Sequence, residues 1–192
     1  MCGRYSFAPV NDDERFAAIV QTMNEKYPGR CKTGEIMPGD TAPAVIVHRG
    51  RLVPVPAVFG FPSFDTGKLI INARAETAPD KPLFAEAFRQ RRAILPAVGF
   101  YEWSREGEKT KYFCTTANTG PIYLCGLWKP VEDLCRFVIL TRPAEGEMAS
   151  VHPRMPVIVS AGDVRSYLTS FAAARVLTAA TPPELILRPE GR

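Results

Sequence analysis

Eighteen prolines, spread from Pro9 to Pro189 in a chain of 192 residues, are the strongest constraint on its fold. Proline removes a backbone donor and clashes with the preceding helical turn, so this spacing excludes long helices and favours many short elements. Residues 11–25 read as a first helix. Asn11 stands at the cap, Glu14 at the reciprocal capping position, and Phe16, Ile19, Val20 and Met23 fall on one face before Pro28-Gly29 ends the run. A second helix is expected after Pro79, with Phe84, Ala87 and Phe88 inward and Arg89, Arg91 and Arg92 at its far end. A short third one starts near Ser160 and carries Val164, Tyr167 and Leu168.

The other apolar segments are short, β-branched or aromatic, and bounded by turns. Ala44–His48 and Leu52–Val55 flank Arg49-Gly50-Arg51 as a hairpin. Leu69–Asn72, Arg92–Leu95, Gly99–Trp103, Lys111–Thr115, Ile122–Leu127, Arg136–Thr141 and Val157–Val159 complete the set. Strands outnumber helices without strict βαβ alternation. The expected class is α+β, with mainly antiparallel sheets in a barrel-like or sandwich core and a few short flanking helices. The length fits a single domain over 1–192. The Pro-rich tail from Thr181 is expected to be loosely ordered.

No run approaches the roughly 18 apolar residues of a membrane span. Asp12, Asp13 and Glu14 stand where a signal peptide would be apolar, so a cytoplasmic protein is expected. Five cysteines, an odd number with no CxxC pair, suggest neither a disulfide framework nor a zinc site. Cys114 and Cys125 read as buried bystanders. The net charge of +4 is modest, but 17 of the 24 basic residues are arginine, the better bidentate partner for phosphate.

Cys2 directly follows the initiator methionine. Trimming of Met1 would leave an amine and a thiol on one residue, both titrating within about two units of neutrality. Such a 1,2-aminothiol condenses with an aldehyde and closes to a thiazolidine. Three further segments carry polar residues in unusual settings. Asn72 ends the apolar run Leu69-Ile70-Ile71, where its amide can both donate and accept. Glu102 lies between Tyr101 and Trp103 in an apolar strand, where desolvation would raise a carboxyl pKa and suit it to proton transfer. His152 precedes Pro153-Arg154-Met155-Pro156, whose prolines restrict the backbone around an imidazole that exchanges protons near pH 7.

Cys2-Gly3-Arg4, Asn72-Ala73-Arg74-Ala75-Glu76-Thr77, Gly99-Phe100-Tyr101-Glu102-Trp103 and His152-Pro153-Arg154-Met155-Pro156 together resemble the SOS response-associated peptidase (SRAP) family. The resemblance runs from residue 2 to about 168. It implies an abasic-site sensor that links its N-terminal cysteine covalently to the aldehyde of an abasic site in single-stranded DNA, without a cofactor or metal. Cys2 is then the nucleophile, Asn72 positions it, Glu102 moves protons, and His152 assists the opened sugar. Arg4, Arg74 and Arg154 are the phosphate clamps, and Thr141 and Pro38 further DNA contacts. The family's Trp-Gly-Leu-x-Pro-x-Trp-like segment corresponds to Phe59-Gly60-Phe61-Pro62-Ser63-Phe64, one residue shorter, which makes Phe59 and Phe64 candidates for stacking on bases. The family name also implies autoproteolytic exposure of Cys2. Two other readings stay open: a thiol peptidase acting on peptides, and a non-covalent single-strand binding module. The expected partner is abasic single-stranded DNA, with replication-fork components as further candidates, and the expected state a monomer that joins the nucleoid on damaged DNA.

Overall fold

A computed structural model describes residues 2–9, 13–63, 67–105, 107, 109–117 and 120–190. The chain begins with β1 (Arg4–Phe7), α1 (Glu14–Lys26), β2 (Gly34–Ile36), β3 (Thr41–His48), β4 (Arg51–Phe59), β5 (Phe61–Pro62), β6 (Leu69–Ile70) and β7 (Asn72–Arg74). It continues with α2 (Ala85–Gln90), β8 (Arg92–Ala97), β9 (Gly99–Trp103), β10 (Lys111–Thr116), β11 (Ile122–Val131) and β12 (Leu134–Pro143). It ends with α3 (Met148–Val151), β13 (Arg154–Pro156), β14 (Ile158–Val159), α4 (Val164–Thr169), α5 (Phe171–Ala179) and β15 (Leu185–Pro189). The fold is α+β and mostly strand, as expected. Its longest helix has 13 residues.

Strand pairing runs β12–β4–β3–β8–β11 and returns to β12, so the larger sheet closes into a ring. β13, β14 and β7 extend it, and the β12–β4 and β12–β7 pairs are parallel while the others are antiparallel. A second, five-stranded antiparallel sheet has the order β15-β10-β9-β1-β2. β3 and β4 form the hairpin expected around Arg49-Gly50, in register from Thr41↔Val58 to His48↔Arg51. Pro54 and Pro56 lie where β4 has β3 on one side only, a position that tolerates a missing ladder donor.

Side-chain alternation divides the core. Ala93, Leu95 and Ala97 of β8, Ile122 and Leu124 of β11, and Phe137 and Ile139 of β12 pack with Tyr5, Phe7, Phe100 and Cys114 of the smaller sheet. The intervening residues Ile94, Tyr123, Cys125, Val138 and Leu140 pack on the other face with Phe88, Tyr167 and Ala174 of α2, α4 and α5. This period of two is the signature of strands buried on both faces.

Several local expectations change. Asp13, not Asn11, caps α1: its carboxylate accepts from the Phe16 amide at 2.8 Å and from the Tyr123 hydroxyl at 3.2 Å. Asn11 lies outside the described residues. Arg92 belongs to β8 and is buried rather than sitting on a helix end. Its guanidinium donates to the carbonyls of Phe88, Arg89, Tyr167 and Leu168. It thus caps the last turns of α2 and α4, whose carbonyls lack intrahelical donors. The tail is ordered as β15, paired with β10 from Tyr112↔Pro189 to Thr116↔Leu185. The helix α5, capped by Ser170 through the Ala173 amide, follows α4 in a stretch to which the sequence reading assigned no element.

Candidate active site

Cys2 lies two residues before the start of β1 and is fully buried. The β1–β9 register, Arg4↔Tyr101 to Ser6↔Gly99, runs the N-terminal segment towards the Glu102-Trp103 end of β9. The parallel β12–β7 register sets Asn72 beside Ile139 and Arg74 beside Thr141. From there the Asn72 Nδ2 donates to the Cys2 carbonyl at 3.0 Å, with a longer 3.5 Å contact to the Ile139 carbonyl. The Asn72 Oδ1 is buried and makes no hydrogen bond among the described residues.

Glu102 shares the inward face of β9 with Phe100 and is only 5% exposed. Its Oε1 accepts from the Trp103 amide at 3.3 Å. Burial pushes the Cys2 thiol well above its ordinary value, and the Glu102 charge adds to the rise. The same two causes hold the Cys114 thiol up at about 12. His152 follows α3, its amide bonded to the Met148 carbonyl at 2.9 Å. Burial pulls its imidazole below the ordinary value while the Glu102 charge opposes that pull. One buried carboxylate therefore acts on both the Cys2 thiol and the His152 ring. The His152 Nδ1 stands 3.0 Å from both the amide nitrogen and the carbonyl oxygen of Arg154. When Nδ1 accepts from the amide, the neutral ring carries its proton on Nε2; when protonated, it can donate to the carbonyl.

The proposed phosphate ligands differ in availability. Arg74 is exposed, and no hydrogen bond or ion pair engages its guanidinium among the described residues. Arg4 is bonded to Glu35 at 2.8 Å, and its guanidinium lies 5.0 Å from the Trp103 ring centroid. Arg154 is held in the protein by the Glu76 carboxylate and by the carbonyl and hydroxyl oxygens of Thr141. Thr141 is buried, so its hydroxyl orients Arg154 rather than facing a phosphate. Pro38 is exposed in a turn whose Asp40 accepts from the Met37 amide and the Lys32 ammonium.

Phe59 corrects the stacking expectation. It is fully buried, parallel to Phe137 at 5.0 Å between centroids and edge-on to Tyr5 at 6.1 Å. Both ring faces belong to the core, because Phe59 falls on the inward period of β4 with Ala57. Phe64 lies outside the described residues.

Beside Glu102 opens a cleft of about 860 Å³ lined by Arg4, Glu102, Trp103, Ser104, Arg105, Gly107 and Lys109. Trp103, Arg105 and Lys109 were not singled out from the sequence. Their signal is the charged loop Ser104–Thr110 between two aromatic strands, a loop whose Glu106 and Glu108 lie outside the described residues. A separate cavity of about 520 Å³, lined by Asp13, Tyr123, Ser160, Asp163 and Leu177 among others, contains none of the four candidate catalytic residues. Among the described residues no cluster of His, Cys, Asp or Glu is arranged to hold a metal ion, and no helix is long and apolar enough to cross a membrane.

Comparison with known proteins finds relatives in sequence and in fold. Abasic site processing protein YedK of Escherichia coli is 26% identical over 180 residues, covering 88% of this chain and 79% of that protein. YobE of Bacillus subtilis, of the same description, is 34% identical over 110 residues, 53% of this chain and half of its own length. A crystal structure of a Bordetella bronchiseptica protein superposes over the full length of both chains with a TM-score of 0.77 at 20% identity. A phage-related protein from the same organism gives 0.75 at 22% identity, covering all of this chain and 95% of its own. These two likenesses establish the fold. The sequence profile of the SOS response associated peptidase (SRAP) family matches residues 1–186, from the buried cysteine through the last helix into β15, and the chain belongs to that family.

Proposed function

We propose that the protein processes abasic sites by forming a thiazolidine between Cys2, freed of Met1, and the ring-opened deoxyribose of an abasic site in single-stranded DNA. The observation that carries this reading is the 3.0 Å bond from Asn72 to the Cys2 carbonyl, made across 70 residues of sequence at a site where Glu102 acts on both the thiol and His152.

The chemistry follows from the residues. The abasic sugar is mostly a closed hemiacetal. Opening it takes a proton from the anomeric hydroxyl and gives one to the ring oxygen. Glu102 and His152 serve these transfers, and a neutral ring with Nδ1 on the Arg154 amide presents Nε2–H as a donor. The Cys2 amine adds to the aldehyde carbon, and loss of water, with one proton supplied, gives an iminium. The freed amine can donate to the otherwise unpaired Asn72 Oδ1, which fixes its direction of attack. The thiol then closes onto the iminium carbon. The C–S bond forms, the C=N pair returns to nitrogen, and the thiol proton passes to Glu102. The net loss is one water. Because burial disfavours the thiolate, amine attack comes first and thiol addition is coupled to proton removal. Arg4 and Arg74 receive the flanking phosphates.

The test incubates Met1-free protein, verified by mass spectrometry, with an oligonucleotide carrying one abasic site, followed by a denaturing gel. A shifted band requiring both Cys2 and the lesion is expected, and Cys2→Ala abolishes it. Absence of that band with the N-terminal cysteine confirmed sinks the proposal.

A further inference from the structure

The outer face of the five-stranded sheet carries a row of side chains of which the chemistry above uses only Arg4. Arg4 pairs with Tyr101, Tyr101 with Phe113, and Phe113 with Arg188, so one register line crosses β1, β9, β10 and β15. The order along it is cation, aromatic, aromatic, cation. All four residues alternate with inward Tyr5, Phe100, Cys114 and Leu187, so they share the outward face. The Tyr101 and Phe113 rings are 5.0 Å apart, tilted by 44°. In the adjacent register pair, Lys111 lies opposite Trp103 and holds its ammonium 4.0 Å from the Tyr101 centroid. Tyr101, Trp103 and Phe113 are half-buried, while Arg188 and Ile186 are exposed. Glu35 and Glu190 both pair with Lys111, and Glu35 also pairs with Arg4. Arg188 forms no ion pair among the described residues.

We infer that this face is a stacking platform for the single strand that flanks the lesion, reached from the Glu102 cleft through Arg4 and Trp103. The inference rests on the single-strand reading above and extends it to a second surface. Three strand spacings make the row about 14 Å long, room for a few nucleotides. Aromatic rings on a sheet face offer π faces to unstacked bases of any sequence, and a cation at each end suits the phosphates. A duplex hides its base faces and gains nothing from such rings. The cleft supplies continuity, since Arg4 and Trp103 line it and also edge the platform.

The test uses the triple variant Tyr101→Leu, Phe113→Leu, Arg188→Gln, which keeps apolar bulk while removing two π faces and the free cation. Binding of a labelled undamaged oligonucleotide of about twenty thymidines, read by fluorescence anisotropy, is expected to weaken about tenfold or more, as stacking on two rings implies. Crosslinking of the same length carrying a central abasic site, at limiting protein, slows correspondingly. Crosslinking of a three-nucleotide oligomer with the lesion in its middle, too short to reach the sheet, keeps its rate. Undamaged binding within twofold of wild type overturns the inference, and so does an equal loss on long and short oligomers. Should wild-type protein crosslink neither oligomer, the thiazolidine proposal falls while the undamaged-binding arm still decides the platform. If the triple variant melts early, Arg188→Gln alone carries the test: it is expected to lower the slope of log affinity against log salt by about 0.7, and an unchanged slope overturns the inference.

Discussion

Phe59 separates a core role from a DNA-binding role most sharply. Its ring is fully buried between Phe137, stacked at 5.0 Å, and Tyr5, edge-on at 6.1 Å. Truncation to alanine removes that packing and leaves a cavity, at a cost of about 3–5 kcal/mol. Domains of this size are stable by about 5–15 kcal/mol, so Phe59→Ala is expected to be marginally folded. Phe59→Leu is the informative variant. It retains most of the volume and loses two aromatic pairs worth about 0.5–1.5 kcal/mol each, hence about 1–3 kcal/mol in total. For a chain of this length that lowers Tm by roughly 2–12 °C. Thermal unfolding by circular dichroism measures the shift, and anisotropy with an undamaged single strand, recorded well below the transition, measures binding. The expected pattern is lower Tm with affinity unchanged within twofold. A leucine variant that melts like wild type yet binds tenfold more weakly would refute the reasoning, because the ring would then meet bases and not the core.

Three other predictions address the site and its frame. Burial holds the His152 pKa below its ordinary value, so as the pH falls the unfolded chain takes up that proton first. The stability contributed by neutral His152 is complete above about pH 6.5 and is lost as the pH falls through the folded-state value; urea midpoints across that range should flatten in His152→Gln, and an undiminished slope there contradicts the assignment. The Glu76 carboxyl is held below the usual range chiefly by its hydrogen bond from Arg154. Since Glu76 is substantially exposed, Glu76→Gln should cost under about 1 kcal/mol of stability, yet free Arg154 for phosphate and steepen the salt dependence of single-strand binding by about 0.7 in slope; an unchanged slope argues that Arg154 is structural. A Cβ at Gly126 would meet the Val138 carbonyl oxygen at 2.7 Å, a backbone atom that cannot swing aside. Gly126→Ala should therefore destabilise by about 1–3 kcal/mol in chemical denaturation, and a neutral result would show that the β11–β12 ladder yields.

What the sequence disclosed depended on the range of the interaction. The β8, β11 and β12 strands were legible because each buries both faces and reads as a short, largely apolar run. The hairpin at Arg49-Gly50 was legible from its turn. Arg92 was not, because its four carbonyl partners come from two helices and two of them lie 75 and 76 residues away. β15 was hidden by Pro182 and Pro183 before it and Pro189 at its end, which suggest disorder locally, although a proline is tolerated on an edge strand paired on one side. Phe59 shows where a motif and the fold diverge. The family segment suggested an aromatic that stacks on bases, whereas β4 sets Phe59 with Ala57 on its core-facing period, in a run of sequence apolar at every position. Asn72 is the reverse case, for nothing near it in sequence announces a partner at Cys2, and only the motifs directed attention there.

The burial of Cys2 also orders the proposed chemistry. A thiol with no exposed surface, its proton held by desolvation and by the Glu102 charge, is a poor first nucleophile towards an aldehyde that spends most of its time closed. An amine needs no such ionisation of sulfur to condense. Once the iminium forms, the thiol is attached three bonds from the attacking nitrogen, and the high effective concentration of an intramolecular ring closure compensates for its raised pKa. Glu102 then has two opposed duties that a single buried carboxylate can combine. As an anion it disfavours the free thiolate, which protects Cys2 from oxidation and stray electrophiles, and as a base it accepts the thiol proton only when the C–S bond forms. On this argument Glu102→Gln should make the Cys2 thiol easier to ionise and yet slow thiazolidine closure. Thiol titration with a small alkylating reagent alongside the crosslinking gel tests both halves. Faster alkylation together with faster crosslinking would show that the carboxylate only restrains the thiol and takes no proton from it.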